Sequence, residues 1–173
     1  AMPSPQTATA IVIAAYNAEA TLERAVTSAL AQPEAAEICI VDDASTDGTA
    51  PLARALAARD ARVSVHVLTL NGGPSVARNL AIASTSSPWL TILDADDYMA
   101  DGRLAALHAL SGDADFVADR LVRTPLGEEP HWRRGEPNAQ TLSFTSFVLG
   151  NLGGAGALDM GFMKPLMRRA FLD

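Results

Sequence analysis

Apolar residues fall along the chain in short continuous runs that alternate with stretches of helical spacing. Thr9 to Ala15 (TAIVIAA) is nearly unbroken, the pattern of a strand covered on both faces of a parallel sheet. From Glu19 to Gln32 the spacing opens to Leu22, Val26, Ala29 and Leu30, which predicts a helix capped by Asn17 or Thr21 and stopped by Pro33. Glu37 to Val41 (EICIV) predicts a second strand and Ala50 to Ala58 a second helix. In Arg62 to Leu68 the residues Val63, Val65 and Val67 alternate with Ser64 and His66, which predicts a strand with one wetter face, nearer the sheet edge. His66 is then a half-exposed strand residue. A tight loop, Asn71-Gly72-Gly73-Pro74, precedes a helix over Ser75 to Ala83. A buried strand begins at Trp89 and runs into acid at Asp94, a helix covers Gly102 to Leu110, and Asp115 to Val122 is strand-like.

Strand and helix alternating in this way predict an α/β domain with a doubly wound, mostly parallel sheet. After Arg123 the character changes. Thr124 to Asn138 reads as a surface loop or irregular hairpin, Ser143 to Leu149 as a short helix, Asn151 to Gly156 as glycine-dense chain, and Gly161 to Asp173 as an apolar tail with a basic knot. No domain boundary is visible: residues 1–173 read as a single domain, 1–123 its core and 124–173 the start of a peripheral region.

Composition narrows the partners. No apolar run reaches the roughly 18–20 residues of a membrane span, which predicts a soluble domain. A net charge of −7 argues against nucleic acid, so any anionic ligand must be received locally. Cys39 is the single cysteine, which excludes a disulfide framework and a cysteine metal site and predicts a reducing, cytoplasmic setting.

The chemistry gathers where strands end. Asp94, Asp96 and Asp97 lie within four positions, and two like charges about 4 Å apart repel by roughly 4 kcal/mol at a protein surface. A hard divalent cation such as Mg2+ or Mn2+ removes that cost; the bland alternative is that the acids solubilise a loop and cap the next helix. In an open parallel sheet, ligands bind beyond the carboxyl ends of the strands. That edge collects Tyr16-Asn17, Asp42-Asp43, the glycine loop before Arg78, and Asp94 with Asp96. Arg78, near a helix N-terminus, adds a site for an anion, and metal plus anion suggests a diphosphate. The chain has neither G-x-G-x-x-G after its first strand nor G-x-x-x-x-G-K-[ST], which counts against a dinucleotide-binding domain and a P-loop.

Three stretches taken together, IVIAAYNAEATLERAVTSALAQ, EICIVDDASTDGT and NGGPSVARNLAIASTSSPWLTILDADDYM, resemble the nucleotide-sugar half of the family 2 inverting glycosyltransferases with a GT-A fold, over about Thr9 to Leu110. The tail GFMKPLMRR is similar to the segment those enzymes carry after their acceptor-side insertion, and the whole most resembles sugar transferases of bacterial exopolysaccharide assembly of the succinoglycan type. The resemblance implies a nucleotide-sugar donor, most simply a UDP-sugar, a saccharide or lipid-linked acceptor, and Mn2+ or Mg2+. It implies that Ala14 and Tyr16 line the base and ribose, that Asp43 accepts a uracil N–H, and that Arg78 lies beside the nucleotide. Asp94-Ala95-Asp96 matches the D-x-D motif, Asp96 on the metal and Asp94 on the ribose or a metal-bound water, with Asp97 turned towards the donor sugar. The family's general base belongs to a motif after the tail. Asp119, Glu136 and Asp159 do not match it, so the base is expected downstream of Asp173 and the chain is expected to bind nucleotide diphosphate but to turn over poorly.

Two rivals remain on the residues. A phosphatase of the haloacid dehalogenase type also uses D-x-D after a strand, but after its first strand, whereas here the motif follows the fourth. A non-catalytic module that binds sugar nucleotide, or an interaction fragment, is the other. Lys164 with Arg168-Arg169 reads either as a peripheral contact with anionic lipid at the inner membrane face or, the reading favoured, as a solvated patch. Trp132 is an acceptor-stacking element or a loop anchor.

Overall fold

The structure is a computed structural model; it describes residues 4–119, 121, 122, 124, 141, 143, 145 and 164–172. Contacts divide the chain into two compact units, Ala1–Val117 with Pro165–Asp173, and Ala118–Lys164. All the regular elements named below belong to the first. The short helix predicted over Ser143 to Leu149, the loop with Trp132, and Glu136 and Asp159 lie outside the described residues, apart from single positions.

The element order is β1 (Thr9–Ala15), α1 (Leu22–Leu30), β2 (Ala35–Asp42), α2 (Thr49–Ala57), β3 (Val63–Val67), α3 (Pro74–Ala83), β4 (Trp89–Ile92), α4 (Arg103–Ser111), β5 (Phe116–Val117), β6 (Leu166–Arg168), then a 3-10 turn over Arg169–Phe171. The strands form one sheet in the order β3-β2-β1-β4-β6-β5. The four strands from β3 to β4 run parallel, while β6 lies antiparallel to both β4 and β5. The doubly wound reading therefore holds, with β3 at an edge as its alternation predicts.

The unbroken apolar run of β1 is explained by cover on both sides. Ile11, Ile13 and Ala15 face a core shared with Leu22 and Val26 of α1, Ala53 and Leu56 of α2, and Leu104 and Leu107 of α4. Val12 faces the other way, with Cys39 and Val41 of β2, onto Ala77 and Ala81 of α3. Each fully buried Ile or Val contributes about 1.5–3 kcal/mol relative to exposure.

Three sequence expectations are corrected. The helix predicted from Glu19 starts at Leu22, because the N–H groups of Thr21 and Leu22 both turn back to the Ala18 carbonyl. The strand predicted over Asp115 to Val122 shrinks to Phe116–Val117, since β6, its partner among the described residues, offers a ladder of two residue pairs. The tail, expected at the periphery, supplies β6 between β4 and β5.

Arg168 and Arg169 of the basic knot are likewise engaged inside this unit. Arg168 stacks 4.3 Å over the Trp89 ring and pairs with Asp115, while Arg169 donates to the carbonyls of Ser87 and Ile82 and to Thr85 Oγ1. In place of the solvated patch, two guanidinium groups pin the tail to the end of α3 and the start of β4. Among the described residues no helix is long and apolar enough to cross a membrane.

Candidate functional site

Strand order reverses between β1 and β4, and at such a switch point the loops leaving the two strands part to form a crevice. Tyr16 and Asn17 leave β1, Asp43 leaves β2, and Leu93 to Asp97 leave β4. Two adjoining recesses open there. One, of about 240 Å³, is lined by Ala14, Ala15, Tyr16, Asp43, Asn71, Gly73 and Pro74. The other, of about 380 Å³, is lined by Ala14, Tyr16, Asn17, Ala18, Ala20, Thr21, Pro74, Arg78, Asp94, Ala95 and Asp96. Ala14, Tyr16 and Pro74 belong to both, so all seven residues singled out from the sequence (Ala14, Tyr16, Asp43, Arg78, Asp94, Ala95 and Asp96) meet at one rim.

Asp43 is buried at the foot of the smaller recess, and each side-chain oxygen already accepts a backbone hydrogen bond, from Gly72 N–H at 2.7 Å and Gly73 N–H at 2.8 Å. Asn71 Nδ2 donates to the Asp43 carbonyl, so the loop before α3 is folded around this one residue. Gly73 makes the arrangement possible: with φ at 84° it occupies the left-handed region open to glycine, directly before Pro74 begins α3. A carboxylate oxygen has two lone pairs, so each retains one for a ligand N–H.

Arg78 has a partner that its place in the sequence does not announce. Near the N-terminus of α3, its guanidinium donates to Asp94 Oδ1 at 2.7 Å, with both side chains 30% exposed. The helix N-terminus is meanwhile faced by the Asp43 carboxylate. The pairing answers the repulsion anticipated for the acidic triplet, because Arg78 is a fixed countercharge beside Asp94. Carboxylate oxygens of Asp94, Asp96 and Asp97 lie within 4.8 Å of one another. An all-oxygen donor set of this size fits a hard divalent cation and does not fit a soft metal.

The loop bearing the triplet is held from α1. Arg24 stacks 4.5 Å over the Tyr98 ring and donates to the Asp96 carbonyl, and Met99 N–H donates to Ser28 Oγ at 2.9 Å. Fully buried Gln32 gives its amide N–H to the Ala100 carbonyl and accepts from Leu104 N–H, which serves the open N-terminus of α4. Sequence reading passed over Gln32, Asn71 and Ser28. Only Asn71, beside Gly72-Gly73, carried a local signal.

Comparison with known proteins follows the geometry. The family described as "Glycosyl transferase family 2" matches residues 10–173. The succinoglycan biosynthesis protein ExoU of Rhizobium meliloti (strain 1021) is 45% identical over 170 residues, which cover 94% of this chain and 49% of that protein. The crystal structure of S. aureus TarS 1-349 in complex with UDP-GlcNAc superposes with a TM-score of 0.67 at 22% identity, over 95% of this chain and 46% of that one. The mannosyltransferase PcManGT from Pyrobaculum calidifontis in complex with GDP-Man and Mn2+ does so with a TM-score of 0.59 at 25% identity, over 72% of this chain and 39% of that one. The chain thus spans about half the length of ExoU, and the structural neighbours carry the GT-A fold.

Proposed function

The chain belongs to glycosyl transferase family 2, and from that premise we propose that it is the donor-binding part of an inverting, metal-dependent transferase that moves a sugar from a nucleotide diphosphate, most simply UDP, to a saccharide or lipid-linked acceptor. The observation that carries this reading is the convergence of Tyr16, Asp43, Arg78, Asp94 and Asp96 on two adjoining recesses at the switch point. The UDP-GlcNAc and GDP-Man complexes of proteins with this fold support a sugar nucleotide as the occupant.

In this reading the smaller recess takes the base. Tyr16, 53% exposed, offers its ring as a stacking face. Asp43, aimed by the two glycine N–H groups, accepts an imide N–H such as that of uracil, whereas cytosine presents no N–H at that ring position. The larger recess takes the ribose and diphosphate, with Ala14 and Ala95 leaving room for them.

Asp96 and Asp94 would hold Mn2+ or Mg2+, with Asp97 turned to the donor sugar. When bound, the ion supplies Lewis-acid stabilisation of the charge that develops on the leaving diphosphate. Arg78 orients Asp94 and brings positive charge to the same region. Asp43, Asp94 and Asp96, the carboxylates lining the recesses, are all engaged with the donor, so the base that takes the acceptor's proton is assigned to a group outside both. A family 2 chain whose D-x-D follows β4, not β1, sets the phosphatase rival aside.

Titration calorimetry with UDP, GDP, CDP and dTDP, each with and without Mn2+, tests the reading. UDP binding that is lost on chelation and in Asp96→Ala, with the fold intact by circular dichroism, is the expected outcome. Metal-independent binding, or none, refutes it, and robust acceptor-dependent turnover by these 173 residues refutes the placement of the base.

A further inference from the structure

The loops that follow β1 and β2 are stitched to each other through Asn17 and Ala18, which line the larger recess, and through Glu19, which lines neither. Asn17 N–H donates to Ser45 Oγ at 2.9 Å, Asn17 Oδ1 accepts from Thr46 N–H at 2.9 Å, and Ala18 N–H donates to Thr49 Oγ1 at 2.8 Å. Glu19 closes the seam in both directions: its N–H donates to Asp47 Oδ2 at 3.2 Å, and its Oε2 accepts from Gly48 N–H at 2.9 Å. Position 48 has to be glycine for this, since a Cβ there would overlap the Glu19 carboxylate. Thr49, through its hydroxyl first and its N–H as well, holds the Asp47 carboxyl below the usual carboxylate range, so it stays an acceptor.

The seam ends on two residues in the left-handed region that are not glycine, Asn17 at φ 50° and Ala44 at φ 60°. Side chains adopt that conformation at a cost, and it persists where the surroundings over-determine it. Tyr16 stands between Asn17 and Ala15, whose carbonyl accepts from Asp43 N–H at 2.8 Å. With its ring half exposed, Tyr16 depends for its direction on the backbone either side.

We propose that Glu19, which lines neither recess, is a positioning residue for nucleotide binding: through Gly48 and Asp47 it holds Asn17 in its left-handed turn and so fixes Tyr16 as a platform for the base. This rests on the reading that a nucleotide occupies the recess beside Tyr16. Charge alone gives the opposite sign. Glu19 is an exposed anion on the side of the molecule where a diphosphate would bind, so removing it without a positional consequence would strengthen binding.

The test uses the full chain and UDP with Mn2+, read by calorimetry, with Mn2+ affinity measured separately by electron paramagnetic resonance. Glu19→Ala is expected to weaken UDP about tenfold and to leave Mn2+ binding unchanged, because the metal carboxylates sit on the loop after β4. Glu19→Gln keeps an acceptor for Gly48 N–H and is expected to bind as the wild type does. Gly48→Ala, which displaces Glu19 by sterics, is expected to reproduce the loss. In a Tyr16→Ala background, Glu19→Ala is expected to cost nothing further.

Unchanged or tighter UDP binding by both Glu19→Ala and Gly48→Ala overturns the positioning role. So does a loss that persists undiminished in the Tyr16→Ala background. A wild type that binds no UDP overturns the nucleotide reading and the positioning role with it, so the two failures are told apart by the wild-type titration.

Discussion

Replacing Gln32 with Met keeps the length and nearly the volume of a fully buried side chain but removes its amide. Two backbone groups lose the partner that Gln32 gives them, Leu104 N–H (3.2 Å from Oε1) and the Ser28 carbonyl (3.3 Å from Nε2), while the Ala100 carbonyl (3.0 Å from Nε2) keeps Arg103 N–H at 3.1 Å. An unsatisfied buried group costs about 1–3 kcal/mol, so two give about 2–6 kcal/mol. The carbonyl of half-buried Ser28 recovers part of that from water, and Met is easier to bury than an amide, which brings the net to about 3 kcal/mol. At about 2–4 °C per kcal/mol for a chain of this size, the melting midpoint falls by roughly 6–12 °C. Urea denaturation followed by circular dichroism measures it, with an unchanged m-value marking a native-state effect. Because Ala100 continues the chain from the aspartate triplet, Mn2+ affinity is expected to fall as well. A Gln32→Met protein within about 0.5 kcal/mol of wild type would refute the claim that this amide holds the loop.

Arg169→Ala removes the donors to Ser87, Ile82 and Thr85 and is expected to cost about 2 kcal/mol in urea midpoint; Arg169→Lys, which keeps the charge but not the fork, is expected to restore less than half. His108 lies edge-on to Trp89 with Nε2 2.8 Å from Thr9 Oγ1, and burial lowers its pKa from the ordinary 6.5. Between the lowered folded value and 6.5 the unfolded chain binds more protons, so stability is complete above about pH 6.5 and declines as pH falls through that window. Urea midpoints at several pH values are expected to show that decline in wild type and a smaller one in His108→Asn.

Much of the fold was legible because its strands are buried on both faces and therefore read as unbroken apolar runs. The site was legible for a related reason: charge at a strand end announces the sheet's ligand edge, as Asp43 and Asp94 do. What escaped depends on pairing across long separations. Leu166 to Arg168 shows no period of its own and becomes a strand because β4 and β5 leave a slot for it. Gln32 and Glu19 look like ordinary polar residues of a helix and its approach, and their partners lie 72 and 29 positions away. The pairing of Arg78 with Asp94 was not legible, since it joins two loops that periodicity treats separately.

The slot filled by β6 has a consequence for biosynthesis. On the ribosome β4 emerges early yet keeps an unsatisfied flank until Leu166–Arg168 leaves the exit tunnel, and all of Ala118–Lys164 must be translated in between. With 73 residues between Ile92 and Leu166, that wait at about 5–20 residues per second is roughly 4–15 s. A nascent chain stalled in that interval exposes Trp89 to Ile92 to any extended segment nearby, so chaperone demand during synthesis should peak there and end when the final strand zips shut.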